Sequence, residues 1–207
     1  LGFAARRTMA TAQSLYEGVD IPGEGLVGLI TYMRTDSVRV ADEAVGAARE
    51  FIRAAHGEAF LPPSPNVFRN RKTAQDAHEA IRPTSVENHP DAVRRSLKPD
   101  EQKVYRLIWE RFVACQMQPA VFEATAADIE ARGQGTRNAV FRANGRVLKF
   151  DGWLAVEGGA AARCRLVHFC QADRIGGETA IALALGDQIE GQAGQVGEVK
   201  AHFSENC

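Results

Sequence analysis

The chain has 207 residues, of which 45% are hydrophobic and 25% charged, and its formal net charge is −1. This balance excludes a strongly basic protein that holds nucleic acid through its overall field. Contacts with DNA would therefore depend on local basic clusters, which occur at Arg6–Arg7, at Arg69, Arg71 and Lys72, and at Arg94–Arg95.

The four cysteines and the apolar runs exclude several classes of protein. No CxxC pair occurs, so a zinc site of the usual spacing is not expected. No apolar run reaches the ~18–20 residues that span a bilayer, and reduced thiols suit the cytoplasm, so we expect a cytoplasmic protein without membrane contact. The chain opens on Leu1, without an initiator methionine or a secretory pattern, which indicates a cut inside a longer chain.

In chain order, the first half predicts helices. The first covers residues 4–17 with a stripe at Met9, Ala12, Leu15 and Tyr16, and Gly18 ends it. A short strand follows at 28–33, then a helix at 42–55 with acidic residues in its first turn. Residues 61–66 form a loop, and a short helix at 74–81 ends before Pro83. The clearest helix covers 99–116, with a buried stripe at Val104, Leu107, Ile108, Arg111, Phe112 and Cys115.

After Pro119 the pattern changes to strands. Residues 121–130 alternate loosely, and Asn144-Gly145 between two apolar runs predicts a hairpin turn. Further strands are predicted at 163–169, 179–185, 187–190 and 198–202. The expected architecture is α+β, with a mainly helical domain at 1–117 and a β-rich antiparallel segment at 118–207.

The first candidate site lies in residues 28–37, GLITYMRTDS. On a strand, Tyr32 and Arg34 share a face, and Thr31, Thr35 and Ser37 add hydroxyls. Tyrosine, with an ordinary pKa of ~10, becomes a nucleophile when a nearby cation favours the phenolate, and arginine can hold two phosphate oxygens. The pair therefore suits phosphate chemistry. The alternative is a buried tyrosine, a surface arginine and an Asp-Ser cap before a helix.

The second candidate site lies in residues 74–84, AQDAHEAIRPT. On a helix, His78 and Arg82 share a face, with Gln75 one turn earlier, which suits a DNA backbone. Arg82 replaces the second histidine of the HExxH zinc motif, so a zinc protease is not expected. A neutral histidine can also transfer a proton. An ordinary surface helix with a His–Glu pair is the alternative.

These two segments together closely resemble the type IA DNA topoisomerases, of the bacterial topoisomerase I kind. The resemblance rests on GLITYMRTDS at 28–37 and AHEAIRPT at 77–84, and extends to LYEG at 15–18, LIWERFVACQM at 107–117 and FDGWL at 150–154. It covers about residues 1–157. Met33, where topoisomerase III and reverse gyrase tend to have proline, favours topoisomerase I. The ending His202-Phe203-Ser204 departs from the family's His-Phe-Thr followed by prolines.

The resemblance implies a reaction and a set of residues. Tyr32 would attack one strand of negatively supercoiled DNA and form a 5′-phosphotyrosine, another strand would pass, and religation would follow without ATP. Arg34 would position the scissile phosphate as the second catalytic residue, and His78 would lie at the DNA-binding site. Further contacts with DNA are predicted for Thr35, Ser37, Glu79 and Arg82.

The resemblance also implies what lies elsewhere. In the family, a Toprim domain holds Mg²⁺ with acidic side chains, and no DxDxE motif occurs in these 207 residues. We expect no metal ligands in this chain, no activity without the Toprim domain, and a monomer. Two other functions remain open: a non-catalytic module that binds single-stranded DNA, and a structural interaction domain.

Overall fold

A computed structural model describes residues 1–68, 78–132, 138–157, 166–167, 173–174 and 199–206. The chain divides into two compact units. The first comprises Leu1–Pro119 and Gly152–Gly159, and the second comprises Ala120–Asp151 and Ala160–Cys207. The described elements mix helices with antiparallel strands, which confirms the α+β class.

The first unit contains helices and one small hairpin. The helices are α1 (Ala5–Glu17), α2 (Asp42–His56), α3 (Pro99–Ala114) and the single turn α4 (Leu154–Glu157). The strands β1 (Val19–Ile21) and β2 (Gly25–Val27) pair antiparallel, and 3₁₀ turns lie at Glu58–Phe60 and Val93–Ser96. The predicted helices at 4–17, 42–55 and 99–116 are thereby confirmed, with ends that differ by one or two residues.

The core of the first unit forms where α1, α2 and α3 meet the chain that follows β2. Its members are apolar side chains that are less than a tenth exposed: Ala12 and Leu15 of α1, Leu29 and Ile30 after β2, Ala48 and Ile52 of α2, and Val104, Tyr105, Trp109, Phe112 and Val113 of α3. Leu29 and Ile30 thus anchor the chain just before Tyr32 in the core.

The buried face of α3 differs from the predicted stripe. Leu107 and Arg111 are exposed, whereas Tyr105 and Trp109 are buried. Both aromatic side chains find backbone acceptors: the Tyr105 hydroxyl donates to Asn88 O (2.6 Å) and the Trp109 indole N–H donates to Val86 O (3.0 Å). Because these hydrogen bonds satisfy their polar atoms, the two large rings can be buried at low cost.

The predicted stripe of α1 is also partly wrong. Ala12 and Leu15 are buried as expected, but the side chains of Met9 and Tyr16 are 51% and 40% exposed. Thr11 is buried in their place, and its hydroxyl donates to Arg7 O within the helix (2.9 Å). The exposed ring of Tyr16 is therefore free to contact side chains outside the core.

The described strands of the second unit form one antiparallel sheet. Its members are β3 (Val121–Arg132), β4 (Asn138–Phe150), β5 (Leu166–Val167), β6 (Asp173–Arg174) and β7 (Val199–Asn206). The order is β5–β4–β3–β7, and β6 also pairs with β4. The strands predicted at 121–130 and 198–202 are confirmed. Of the one predicted at 163–169, residues 166–167 form β5 and the others lie outside the described residues, as do 179–185 and 187–190.

The hairpin turn predicted at Asn144-Gly145 is wrong. Both residues lie inside β4, where Asn144 pairs with Ala126 and Gly145 with Thr125. Residues 133–137, which connect β3 to β4, lie outside the described residues. An Asn-Gly pair favours a turn locally, but the twelve-residue β3 offers β4 a continuous partner, and the ladder hydrogen bonds outweigh the local preference.

Two further local predictions are wrong in the first unit. Residues 28–33 do not form a strand, because β2 ends at Val27 and only Ile30 pairs, in an isolated bridge with Pro83. The helix predicted at 74–81 is not formed at 78–81, and 74–77 lie outside the described residues. His78 and Arg82 therefore do not share a helix face. Hydrogen bonds between these two segments replace the local structure that each was expected to form.

Candidate active site

Residues 28–41 and 78–84 are joined along their length, although about forty residues separate them in sequence. Backbone hydrogen bonds connect them from Thr31 N to Arg82 O (2.9 Å), from Thr84 N to Leu29 O (3.0 Å) and from Ala80 N to Arg39 O (2.7 Å). The two candidate segments of the sequence thus form one structural feature, which we call the paired segments.

Side chains strengthen the same connection. The Thr31 hydroxyl donates to Ala80 O (2.9 Å) and accepts from the backbone N–H of Arg82 (3.0 Å). The Ser37 hydroxyl donates to His78 O (2.7 Å), and its side chain is buried. These hydroxyls were predicted to surround the tyrosine. Those of Thr31 and Ser37 instead satisfy backbone groups of the partner segment.

Tyr32 and Arg34 lie at the surface of the paired segments. The Tyr32 side chain is 52% exposed, which excludes the alternative of a buried tyrosine. The guanidinium carbon of Arg34 lies 5.8 Å from the centre of the Tyr32 ring, within cation–π range. Between them, Met33 is buried. The phenol and the guanidinium are therefore neighbours that solvent can reach.

A tight turn, and not a strand, brings Tyr32 and Arg34 together. The backbone N–H of Arg34 donates to Tyr32 O (3.0 Å), two residues earlier, as in a γ-turn. Met33 points into the core while its two neighbours remain outside. The predicted proximity of the two side chains is found, although the backbone conformation that produces it is different.

Tyr16 is a second aromatic group at this surface. Its ring centre lies 5.2 Å from that of Tyr32, and the planes meet at 65°, an edge-to-face contact. Tyr16 belongs to the LYEG motif, but its helical spacing predicted a place in the buried stripe of α1. Its position in the motif was a usable signal, but helical spacing alone could not identify the contact.

His78 contacts a carboxylate from the other segment. Its Nδ1 lies 3.3 Å from Asp36 Oδ2, and the exposed fractions of the two side chains are 22% and 43%. Asp36 lies inside the GLITYMRTDS motif, but the sequence pattern predicted no role for it. A carboxylate next to Nδ1 orients the imidazole, so the Nε2 edge of the His78 ring faces away from Asp36.

Glu79 and Arg82 form an ion pair that is mostly buried. Arg82 Nε donates to Glu79 Oε1 (2.8 Å), and the side chains are 14% and 24% exposed for Arg82 and Glu79. Glu79 Oε1 also accepts from the backbone N–H of Ala41 (2.7 Å), at the start of α2. Burial of Glu79 opposes ionisation, but hydrogen bonds from Arg82 and Ala41 outweigh it and lower its pKa. This pair joins the second segment to α2.

The predicted site residues thus fall into two groups. Tyr32, Arg34 and Thr35 are exposed, and His78 is partly exposed, so these four can meet a ligand from solvent. Ser37 and Glu79 form hydrogen bonds between the paired segments, and Arg82 forms an ion pair with Glu79 within the second segment. The prediction that they contact DNA stays a prediction.

The part of the chain that the structure describes offers no cluster of three or more His, Cys, Asp or Glu side chains that could hold a metal ion. Within the same residues, no helix has the length and apolar character that crossing a membrane requires.

Comparisons with known proteins agree on one family. A family model described as DNA topoisomerase matches residues 1–178. DNA topoisomerase 1 of Rickettsia conorii and of Rickettsia felis are each 43% identical over 157 residues, which is 75% of this chain and 20% of each relative. Full-length topoisomerase I from Thermotoga maritima superposes with a TM-score of 0.58 at 32% identity, covering 100% of this chain and 29% of that one.

The chain thus spans about a fifth of the length of the curated relatives it matches. The family model covers most of this chain, and it includes both paired segments with Tyr16, Tyr32, Arg34 and His78. The shared sequence and the shared fold lead to one conclusion: the chain belongs to the bacterial type IA DNA topoisomerase family.

Proposed function

We propose that this chain is the tyrosine-bearing part of an enzyme that relaxes negatively supercoiled DNA through a transient single-strand break. The observation that carries the proposal is the exposed phenol of Tyr32 with the Arg34 guanidinium 5.8 Å from its ring centre. A nucleophile that attacks a DNA strand has to be reachable from solvent, and the negative charge on the phosphoryl oxygens in the transition state is stabilised by a cation beside it.

The proposed reaction exchanges one phosphodiester for another. The Tyr32 phenolic oxygen attacks the phosphorus of one strand, the bond between Tyr32 Oη and phosphorus forms, and the bond from phosphorus to the DNA 3′-oxygen breaks. The phenol loses its proton and the leaving 3′-oxygen gains one. After another strand has passed, the 3′-hydroxyl attacks the 5′-phosphotyrosine and restores both starting groups, so no ATP is consumed.

Arg34 and His78 have separate parts in this proposal. Arg34 presents a planar guanidinium that can donate two hydrogen bonds to the scissile phosphate and stabilise its charge in the transition state. His78 binds the DNA strand near the break, with Asp36 on its Nδ1 holding the ring. Ser37 and Glu79 support these groups by joining the two segments, and Arg82 holds the Glu79 carboxylate in place.

The paired segments alone do not complete the proposed active site. We infer that acidic side chains of a Toprim domain bring Mg²⁺ to the DNA, since the described residues of this chain offer no metal cluster. Magnesium bound there would supply positive charge at the phosphodiester. The 207 residues by themselves are then inactive. Their partners are single-stranded or negatively supercoiled DNA and the Toprim domain.

The test of this proposal is a Tyr32→Phe variant of the complete enzyme. Phenylalanine keeps the ring and its contact with Tyr16 but lacks the attacking oxygen. We expect no covalent protein–DNA adduct after denaturation of a reaction with a labelled single-stranded oligonucleotide, and no relaxation of a plasmid. Binding of the same oligonucleotide should remain. An adduct that persists in Tyr32→Phe contradicts the proposal.

A second candidate function is a non-catalytic module that binds single-stranded DNA. The exposed rings of Tyr16 and Tyr32 beside Arg34 favour it, because aromatic faces and a cation together are typical of such surfaces. The salt dependence of binding by Arg34→Ala and His78→Ala tests for a DNA surface. If the wild-type enzyme binds DNA but never forms an adduct, this second function is the correct one.

A further inference from the structure

Tyr16 and Tyr32 come from different elements but their rings are in contact. Tyr16 belongs to the last turn of α1, whereas Tyr32 lies in the irregular chain after β2. The ring centres are 5.2 Å apart and the planes meet at 65°. The two side chains remain 40% and 52% exposed for Tyr16 and Tyr32, so burial in the core does not account for this contact.

The backbone around Tyr16 is fixed to the segment that carries Tyr32. The backbone N–H of Leu29 donates to Leu15 O (2.8 Å), and the Leu15 side chain is fully buried. A Cβ at Gly28 would lie 2.8 Å from Tyr16 O, closer than atoms of this kind approach each other. The end of α1 and the chain leading to Tyr32 therefore touch backbone to backbone, and the helix presents the Tyr16 ring from a rigid element.

Tyr32 needs an external support for its side chain. It lies outside any helix or strand, and half of its surface meets solvent. An exposed side chain on irregular backbone samples several rotamers, and each misplaced rotamer removes the phenolic oxygen from the line of attack. Arg34 is on the same turn and moves with it, whereas Tyr16 is on a helix that packs in the core.

We propose that Tyr16 is a positioning residue for Tyr32, holding the nucleophilic ring in its attacking rotamer through the edge-to-face contact. This inference rests on the proposed function, because it concerns the same phenolic oxygen. Tyr16 does not touch the reacting atoms. Its effect is on the fraction of enzyme molecules in which Tyr32 is correctly oriented, and so on the rate of cleavage and not on the affinity for DNA.

The experiment compares Tyr16→Ala, Tyr16→Leu and Tyr16→Phe in the complete enzyme, with Met9→Ala as the matched control. Met9 lies two turns earlier on α1, is 51% exposed and has no part in the site. Single-turnover cleavage of an oligonucleotide at saturating enzyme gives the rate of adduct formation, and fluorescence anisotropy of the same oligonucleotide gives its Kd.

We expect Tyr16→Ala and Tyr16→Leu to slow adduct formation about 3- to 10-fold, the range of an aromatic pair, with Kd changed by less than about twofold. Tyr16→Phe restores the rate because the ring contact remains, and Met9→Ala matches the wild type. Tyr16→Leu keeps side-chain volume, so it reports on the aromatic contact even where Tyr16→Ala is poorly folded.

Two results overturn the inference. One is a wild-type cleavage rate in a folded Tyr16→Leu variant. The other is a raised Kd with an unchanged single-turnover rate, which assigns Tyr16 to stacking on a DNA base. Neither result contradicts the proposed function, which is tested by a different variant: it is wrong if Tyr32→Phe still forms the adduct.

Discussion

The hydroxyl of Ser37 donates a 2.7 Å hydrogen bond to the backbone carbonyl of His78, 41 residues further along the chain. The same oxygen accepts from the backbone N–H of Arg39 (3.2 Å). Since the Ser37 side chain is only 4% exposed, water cannot replace these partners readily. A residue predicted to contact DNA therefore joins the two segments on which the site is built.

Ser37→Ala should destabilise the fold because it leaves the His78 carbonyl and the Arg39 N–H without this partner. We expect a loss of about 1–2 kcal/mol in the free energy of unfolding of the 207-residue chain, measured by urea denaturation. Thr35→Ala, two residues away and exposed, is the control and should change stability by less than about 0.5 kcal/mol. Equal stability of the two variants would contradict this assignment.

Gly28→Ala should be destabilising because the added methyl group meets the carbonyl oxygen of Tyr16 at 2.8 Å. We expect a loss of about 1–3 kcal/mol, as in other overpacked sites. Gly46→Ala is the matched control, because nothing lies within 4 Å of its Cβ and it sits inside α2. There alanine should stabilise by about 0.5–1 kcal/mol. Thermal unfolding of both variants measures the difference, and the same sign at both sites would refute the close approach.

The lowered pKa of Glu79 predicts that the stability of the fold decreases in acid. Its folded-state pKa is below the ordinary value of 4.5, because hydrogen bonds from Arg82 and Ala41 outweigh burial. A carboxyl with a lowered folded pKa stabilises the fold above its unfolded pKa, and this contribution disappears as pH falls through the folded pKa. We expect Glu79→Gln to lower the free energy of unfolding by about 1–3 kcal/mol at neutral pH. As the pH falls, the stability of this variant should decrease less steeply than that of the wild type.

The measurement for Glu79 is urea denaturation at a series of pH values from neutral into the acid range below 4.5. The control is Glu24→Gln, at an exposed position of the turn between β1 and β2. The control should keep the wild-type pH profile. If Glu79→Gln also follows that profile at every pH, then the ion pair with Arg82 does not contribute to the acid sensitivity.

The 207-residue chain should neither cleave nor relax DNA by itself, because in the proposed mechanism the Toprim domain brings the Mg²⁺ to the DNA. We expect a supercoiled plasmid to remain unchanged after incubation with the purified chain and Mg²⁺. The complete enzyme serves as the positive control under the same conditions. Relaxation by the chain alone, lost in its Tyr32→Phe variant, would show that the Toprim domain is not needed.

Local sequence signals were sufficient for the helices. Proline at the first position of α3, acidic residues in the first turn of α2 and Gly18 after α1 all act within one or two turns, so their positions were predicted closely. The buried faces were less predictable. Tyr105 and Trp109 turn inward because Asn88 and Val86, far along the chain, supply acceptors for their polar atoms.

Longer-range pairing explains the predictions that were wrong. At residues 78–81, a helical sequence pattern is replaced by hydrogen bonds to 31–41, where Thr31, Ser37 and Arg39 supply the partners. At Asn144-Gly145, a turn signal is overridden by the ladder with β3. In both cases partners from distant sequence satisfy the backbone better than the local conformation does.

The sequence by itself determined the three main helices, the change to strands after Pro119, the family and the candidate pair Tyr32 and Arg34. Tertiary structure decided which of the polar residues face outward. Tyr32 and Arg34 do so through a tight turn over Met33, while Ser37 and Glu79 bond to the partner segment and Arg82 pairs with Glu79. It also placed Tyr16 against Tyr32. The physical reason is that residue types and spacing encode local periodicity, whereas exposure and ring contacts depend on which distant segments share a hydrogen bond.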